Sequence, residues 1–280
     1  MSFRSKTGPD SFQNKPVIFF VLFLLVLLCM ENAAVLFPGR AGVIPVYAEE
    51  EAHESFTENI LFLGDSMIYN PEYGAKVFSA HGHQVFAAMG ATLPQFYGVT
   101  HKEVTIGMKG HYIKGTAAGR EYNGIASLMG ANDLANHDEN KVFDQYQKLL
   151  RELQSANTVP IYVLQVFPVN QNYSRHYGNY KEKNRRASVL NEKLWQYCES
   201  VEGLYFVDAT NGFMADDGQL LHDYGDGLHM DPAYYGMFYK DFITAISTLK
   251  DRIQRSIYDP DFSLEQYWIC RLFQETVVKV

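Results

Sequence analysis

The chain has 280 residues, of which 24 are basic and 32 acidic, and its formal net charge at pH 7 is −8. Its hydrophobic fraction of 47% is enough to bury one sizeable core. The acidic balance argues against nucleic acid as a partner, because phosphate binding needs clustered basic side chains. The sequence shows no internal repeat, low-complexity tract or second domain.

An apolar run near the amino terminus predicts export. Residues 17–30 are apolar without interruption, and Arg4, Lys6 and Lys15 precede them. A basic segment followed by an apolar run is the layout of a secretory signal, and residues 46–48 (Val-Tyr-Ala) form a candidate cleavage site. The same run, extended to residue 37, is long enough to remain as an uncleaved membrane anchor.

Both alternatives place the rest of the chain outside the cytoplasmic membrane, because basic residues stay on the inner side. We therefore expect residues 1–48 to be a signal peptide or N-terminal anchor with a short linker. Residues 49–280 are expected to form one domain, secreted or tethered to the outer face of the membrane. Any membrane contact is expected through the N-terminal segment only.

Short apolar runs alternate with segments of helical periodicity, which predicts an α/β fold with a parallel sheet and helices on both faces. The five predicted strands are residues 60–63, 85–88, 124–129, 161–166 and 204–207. The three main predicted helices are residues 141–156, 183–202 and 233–258.

Four short blocks carry residue types suited to catalysis. Gly64-Asp65-Ser66 follows the first predicted strand, Gly90 follows the second, and Gly130-Ala131-Asn132-Asp133 follows the third. The last block, Asp226-Gly227-Leu228-His229, places a carboxylate three residues before an imidazole. Because ligands bind at the carboxyl edge of open parallel sheets, the first three blocks are expected to meet there.

The order and content of these blocks resemble the SGNH, or GDSL-type, hydrolase family over about residues 59–250. Ser66 matches the family's nucleophile, Gly90 and Asn132 its glycine and asparagine, and Asp226 with His229 its final pair. The resemblance implies a three-layer α/β/α sandwich with a flavodoxin-like, five-stranded parallel sheet. It also implies chemistry that needs no cofactor.

The chemistry independently requires these residue types. A serine hydroxyl is a poor nucleophile until an adjacent base removes its proton, and His229 would be that base for Ser66. Asp226 would hold the imidazole in one tautomer and stabilise it once protonated. At a spacing of three on a turn, the two side chains lie on the same side and can meet. The turn around Ser66 lacks the closing glycine of the Gly-x-Ser-x-Gly motif, so the α/β-hydrolase fold is not expected.

Attack on an ester carbonyl places negative charge on its oxygen, and donors aimed at that charge are usually the largest catalytic factor. Three donors are predicted to form this oxyanion hole: the backbone N–H groups of Ser66 and Gly90 and the side-chain amide of Asn132. Asp65 and Asp133 are expected to brace loops, and His222 is expected to have a structural role.

No metal site is predicted. Cys198 and Cys270 stand in neither metal-like nor redox-like spacing, and they are expected to be two buried thiols or a disulfide. His81 and His83 have no third ligand nearby and are interpreted as part of a solvated helix end.

Two segments without a regular pattern, residues 92–122 and 167–180, are expected to shape the substrate pocket as loops. Tyr173, Tyr177 and Tyr180 either stack on a sugar or pack against the surface.

Together, these features predict an extracytoplasmic serine esterase that removes a small acyl group, most simply acetyl, from a carbohydrate or other ester through an acyl-enzyme. An O-acyltransferase with the same triad, and a non-catalytic glycan-binding module of the same fold, are the alternatives.

Overall fold

The structure is a computed structural model, and it describes residues 56–69, 74–210 and 212–249. The predictions for the N-terminal segment, for Cys270 and for the predicted helix beyond residue 249 fall outside these ranges. Within them, no helix is long and apolar enough to cross a membrane. Cys198 is buried.

Five parallel strands form the central sheet, in the order β2-β1-β5-β6-β7. Their bounds are Ile60–Gly64 (β1), Gln84–Ala87 (β2), Gly124–Leu128 (β5), Ile161–Leu164 (β6) and Leu204–Val207 (β7). Strands β1, β5 and β6 are buried along their whole length, which explains why they read as continuous apolar runs rather than as alternating ones.

Helices cover both faces of the sheet. Their bounds are Ser66–Tyr69 (α1), Gly74–Ala80 (α2), Asp133–Asn136 (α3), Glu139–Ala156 (α4), Tyr180–Ser200 (α5) and Tyr235–Thr248 (α6). Successive strand side chains point to opposite faces, so Leu61 and Leu63 join the core under α4 and α5, whereas Phe62 joins the core under α2 and α6. The predicted three-layer sandwich is therefore confirmed.

Helices α4 and α5 begin earlier than the apolar pattern predicted, whereas α6 begins two residues later. Asp138 caps α4 by accepting hydrogen bonds from two backbone N–H groups of its first turn, and Asn179 caps α5 in the same way. A side-chain cap satisfies N–H groups that have no intrahelical partner. The first turns of α4 and α5 are polar and carry no apolar periodicity. The starts predicted from the sequence are therefore two and three residues late.

The segment predicted as a loop over residues 92–122 contains regular structure. It holds a 3₁₀ turn at Leu93–Phe96 and an antiparallel hairpin of β3 (Val104–Ile106) and β4 (Ile113–Gly115). Strands of three residues are too short to show a period, and this hairpin is fixed by tertiary packing, with Ile106 fully buried.

The prediction that His81 and His83 belong to a solvated helix end is wrong for His83. The side chain is buried, its Nδ1 accepts a hydrogen bond from the Ile60 N–H at 3.2 Å, and its Nε2 lies 3.1 Å from the Tyr239 hydroxyl. Burial, with the nearby His81 adding to it, lowers the pKa of His83 to about 4. His83 is thus a neutral side chain that joins β1 to α6, whereas His81 is exposed and stacks on Tyr239.

We expect Leu194→Ala to lower the free energy of unfolding by about 3 kcal/mol, because Leu194 is fully buried between α5 and the sheet and its removal leaves a cavity. Urea unfolding followed by circular dichroism measures this loss. Gln196→Ala, on the exposed face of the same helix, is the control and should change stability by less than about 0.5 kcal/mol. Equal effects of the two substitutions would contradict the assignment of this helix face.

Candidate active site

The carboxyl ends of three neighbouring strands lie side by side. Gly64 at the end of β1 pairs with Ala87 of β2 and with Leu128 of β5. The segments that leave these strands carry Ser66, Gly90 and Asn132 in turn. The structure therefore brings the first three sequence blocks to one edge of the sheet.

The turn that presents Ser66 is tight. A Cβ at Gly64 would lie 2.6 Å from Cγ1 of Ile68, so only glycine lets α1 fold back directly after β1. Asp65 is buried, and its Oδ1 accepts a hydrogen bond from the Met67 N–H at 3.0 Å. This bond spans Ser66 and fixes the residue at the start of α1.

Ser66, His229 and Asp226 form one hydrogen-bonded chain. The Ser66 Oγ lies 2.9 Å from Nε2 of His229, and Nδ1 of His229 lies 2.6 Å from Oδ2 of Asp226. The carboxylate accepts the Nδ1–H, which leaves Nε2 as the ring nitrogen that can accept the serine proton. The arrangement can thus generate a serine nucleophile.

The loop that carries the base also fixes its partner. Oδ1 of Asp226 accepts hydrogen bonds from the N–H groups of Leu228 and His229, both at 2.9 Å. Gly227, which directly follows Asp226, has φ of +78°, and a Cβ there would overlap the backbone nitrogen of Tyr173. The side-chain pairing predicted from a spacing of three therefore depends on a glycine that permits the turn.

Hydrogen bonding keeps Asp226 ionised. Burial alone would raise its pKa, but the His229 N–H, the His229 ring and the Leu228 N–H together hold the pKa of Asp226 below its ordinary value. Tyr177 adds a contact, since its hydroxyl donates to Oδ2 of Asp226 at 3.3 Å. Tyr177 lies 49 residues before Asp226 in the chain, and no local spacing predicts this pair.

The three tyrosines of residues 167–180 have different surroundings. Tyr173 is buried and lies 5.2 Å from the Tyr177 ring, centroid to centroid. Tyr177 is half exposed beside the triad, and Tyr180 begins α5. Of the two alternatives, surface packing describes Tyr173, and only Tyr177 combines exposure with a contact to a triad residue.

The candidate oxyanion donors lie close together. Gly90 has φ of +67° in the turn after β2, a conformation that favours glycine. Nδ2 of Asn132 donates to the Ala91 carbonyl at 3.0 Å and lies 3.4 Å from Oδ2 of Asp65. Asn132 thus connects the Gly90 turn to the residue that precedes Ser66.

Two buried carboxylates support these loops. Asp133 accepts a hydrogen bond from the Leu93 N–H at 3.1 Å, and Asp65 holds the turn around Ser66. Burial raises the pKa of Asp133 to about 7, with the charge of Asp65 adding to the effect. Burial also raises the pKa of Asp65 to about 6, although the Met67 N–H and the charge of His229 oppose it.

His222 lies outside the triad. Its ring stacks on Tyr234 at a centroid distance of 3.9 Å and an interplanar angle of 11°. Its φ of +57° places it in a turn of the loop before Asp226. Within residues 56–69, 74–210 and 212–249, no group of three or more His, Cys, Asp or Glu side chains could hold a metal ion.

No protein-family model and no curated protein matches the chain. Solved structures do match it, among them a protein provisionally described as a platelet activating factor from Streptococcus pneumonia, with 18% identity and a TM-score of 0.52. That alignment covers 82% of this chain and 99% of the other. A protein provisionally described as an acylhydrolase from Bacteroides fragilis NCTC 9343 has 15% identity and a TM-score of 0.53, over 77% of this chain and 99% of its own.

A third match, provisionally described as a lipolytic protein of the G-D-S-L family from Desulfitobacterium hafniense DCB-2, has 10% identity and a TM-score of 0.50. It covers 66% of this chain and 98% of its own. The chain therefore has the fold of the SGNH, or GDSL-type, hydrolases, as its sequence blocks implied.

We expect Asp133→Asn to gain stability relative to the parent protein as the pH rises from about 4 to about 7. The folded state holds the Asp133 proton up to about pH 7, whereas the unfolded chain releases it near the ordinary value of 3.8, so ionisation favours unfolding between these limits. The asparagine removes this contribution and can still accept the Leu93 hydrogen bond.

Urea unfolding at several pH values measures the difference, which should rise by at most about 1.4 kcal/mol for each pH unit. Asp144→Asn, at an exposed position of α4, controls for the loss of a formal charge. If the difference in unfolding free energy between the variant and the parent protein does not change over this pH range, then the pKa of Asp133 is not raised in the folded state.

Proposed function

We propose that this protein is a serine esterase that removes a short acyl group from an ester through an acyl-enzyme. The hydrogen-bonded chain from Ser66 Oγ through His229 to Asp226 is the observation that carries the proposal. The fold supports it, because the three side chains lie at the edge of the sheet where ligands bind.

In the proposed first step, Nε2 of His229 takes the proton of Ser66 as the serine oxygen attacks the ester carbonyl. The carbonyl oxygen becomes an oxyanion, facing the backbone N–H groups of Ser66 and Gly90 and the amide of Asn132. His229 then gives its proton to the departing alkoxide, so the alcohol leaves and the acyl group stays on Ser66. Water, deprotonated by His229, releases the acid in the second half of the cycle.

Asn132 can serve as a donor in this scheme. Its bond to the Ala91 carbonyl at 3.0 Å is ordinary, whereas its contact with Asp65 at 3.4 Å is longer than a normal N–H···O bond. Transferring that second hydrogen to an oxyanion costs little, because the contact it leaves is weak. The first bond meanwhile keeps the amide in place.

Exposure of the triad favours water as the acceptor. The side chains of His229 and Asp226 are 31% and 22% exposed, so solvent reaches the base directly. Water can therefore reach the acyl-enzyme, as hydrolysis requires.

A small internal cavity of about 10 Å³ lies next to the residues that flank Ser66, although Ser66 itself does not line it. It is enclosed mainly by apolar side chains from the ends of β1, β5 and β6 and from the loop that carries His229. Its lining residues are Asp65, Met67, Leu128, Met129, Ala131, Val166, Phe167 and Leu228. A cavity of this size holds about one water-sized group, so it leaves no room for a long acyl chain. With the predicted export signal, this small size favours an acetylated extracytoplasmic glycan as the substrate.

We expect the full chain to hydrolyse p-nitrophenyl acetate and Ser66→Ala to lower kcat by about ten-thousandfold or more, because the nucleophile is lost. Asp226→Asn should cause a loss of similar size, since the wrong imidazole tautomer is then favoured. The measurement in each case is the release of p-nitrophenol, followed by its absorbance.

Ser188→Ala, an exposed serine on α5, is the matched control and should retain parent activity. Turnover that survives in Ser66→Ala would exclude Ser66 as the nucleophile. Stable acylation of Ser66 that is released only by an added sugar alcohol would indicate an acyltransferase. Glycan binding without acylation would indicate a binding module.

We expect Leu228→Ala to raise the ratio of kcat/KM for butyryl over acetyl esters by about tenfold, because the shortened side chain enlarges the cavity next to the residues that flank Ser66. Rates across acetyl, butyryl and octanoyl esters measure the change. Leu221→Ala, at an exposed position of the same loop region, should leave the ratio unaltered. An unaltered ratio in Leu228→Ala would mean that the acyl chain lies elsewhere.

A further inference from the structure

Lys183 stands where a cation is disfavoured. It is the fourth residue of α5, close to the positive end of the helix dipole, and its side chain is buried. Arg186 is near enough to lower its pKa further. Among the residues that the structure describes, Lys183 is the only buried lysine or arginine.

Three groups offset the cost of burying the ammonium group of Lys183. Nζ of Lys183 donates a hydrogen bond to the carbonyl oxygen of Ala131, and the charges of Asp65 and Asp133 act on the ammonium group without forming an ion pair with it. Burial, the largest influence, lowers the pKa of Lys183 to about 8, and the two carboxylates oppose this shift. A buried charge is tolerated when a hydrogen bond and nearby opposite charges offset its desolvation in this way.

Each partner of Lys183 holds a different part of the site. Ala131 immediately precedes Asn132, so a fixed Ala131 carbonyl fixes the peptide plane from which the Asn132 side chain extends. Asp65 contacts the Asn132 amide and the N–H after Ser66. Asp133 anchors Leu93, in the segment that follows Gly90.

We propose that Lys183 is a positioning residue for the oxyanion hole, acting through its hydrogen bond to the Ala131 carbonyl to hold Asn132 at the distance from Ser66 that catalysis needs. This inference rests on the proposed esterase function and adds to it a residue outside the four sequence blocks. Lys183 itself touches neither the triad nor the reacting ester.

The test is a double-mutant cycle on the full chain with Lys183→Met and Asn132→Ala, measured as kcat and KM for p-nitrophenyl acetate. Lys183→Met alone should lower kcat by about 100-fold, as expected when one oxyanion donor is misplaced, with KM changed by less than about threefold. In the Asn132→Ala background the same substitution should cost less than about threefold, because the group it positions is already absent.

Two further variants separate positioning from a general loss of structure. Lys181→Met removes an exposed lysine two residues earlier on the same helix and should retain parent kcat. Lys183→Met combined with Asp133→Asn removes one buried basic group and one buried acidic group together, so it provides a second test if the single variant unfolds. Its kcat should also fall, because the Ala131 carbonyl still lacks its donor. Thermal unfolding of each variant establishes that it is folded.

If the fold-losses in kcat of Lys183→Met and Asn132→Ala multiply in the double variant, the inference is overturned, because Lys183 would then act independently of Asn132. Parent kcat in folded Lys183→Met, or in the variant that also carries Asp133→Asn, would overturn it as well. Failure of the proposed function has a different signature, in which the parent protein neither hydrolyses the ester nor is labelled at Ser66 by a fluorophosphonate. The inference would then fall together with the esterase proposal.

Discussion

The alignment of three parallel strand ends is the constraint from which the rest of the site follows. Gly64, Ala87 and Leu128 are paired in register, so the chain leaves β1, β2 and β5 at the same height. A shift of β5 by one residue would turn its alternating side chains to the opposite core and move Asn132 relative to Ser66. Packing of both cores against the helices therefore stabilises the geometry of the candidate site and the fold by the same contacts.

Burial of charged side chains beneath this edge of the sheet costs stability. Asp65, Asp133 and Lys183 are buried, and each has its pKa shifted towards the neutral form by burial. Apolar residues in their places would avoid desolvation of charge, and such replacements are often neutral or stabilising in other proteins. Their retention here is understandable because their oxygen and nitrogen atoms bind the backbone of the loops that carry the candidate catalytic residues.

Much of the fold and site could be predicted because the relevant signals are local. Ser66 follows a strand whose apolar run ends at glycine, and Asp226 and His229 are close enough in sequence to meet on one turn. Asn132 and Gly90 follow strands of the same sheet. The direction of a strand and the spacing of a few residues placed these blocks. The resemblance to the SGNH family identified Gly90 and Asn132 among the residues that follow those strands.

Contacts between distant segments could not be predicted in the same way. His83 is buried because Ile60 and Tyr239 satisfy its two ring nitrogens, and neither partner is indicated by neighbouring residues. Lys183 did leave a signal, since it occupies the same helix face as Ala187, Leu190 and Leu194, all of which are buried. A lysine on an apolar helix face departs from the usual pattern, and the sequence alone does not show the reason.

The turn at Gly227 has a consequence for how the site tolerates motion. Asp226 binds the ring and the backbone N–H of His229 and also the backbone N–H of Leu228, so the loop carries the imidazole and the carboxylate as a single unit. A displacement of that loop would preserve the tautomer of the imidazole, while it would change the separation between Nε2 and the serine oxygen and the separation between Asp226 and the Tyr177 hydroxyl. The position of the loop would then set how closely the imidazole approaches Ser66, and the imidazole would return in the same tautomer with the loop.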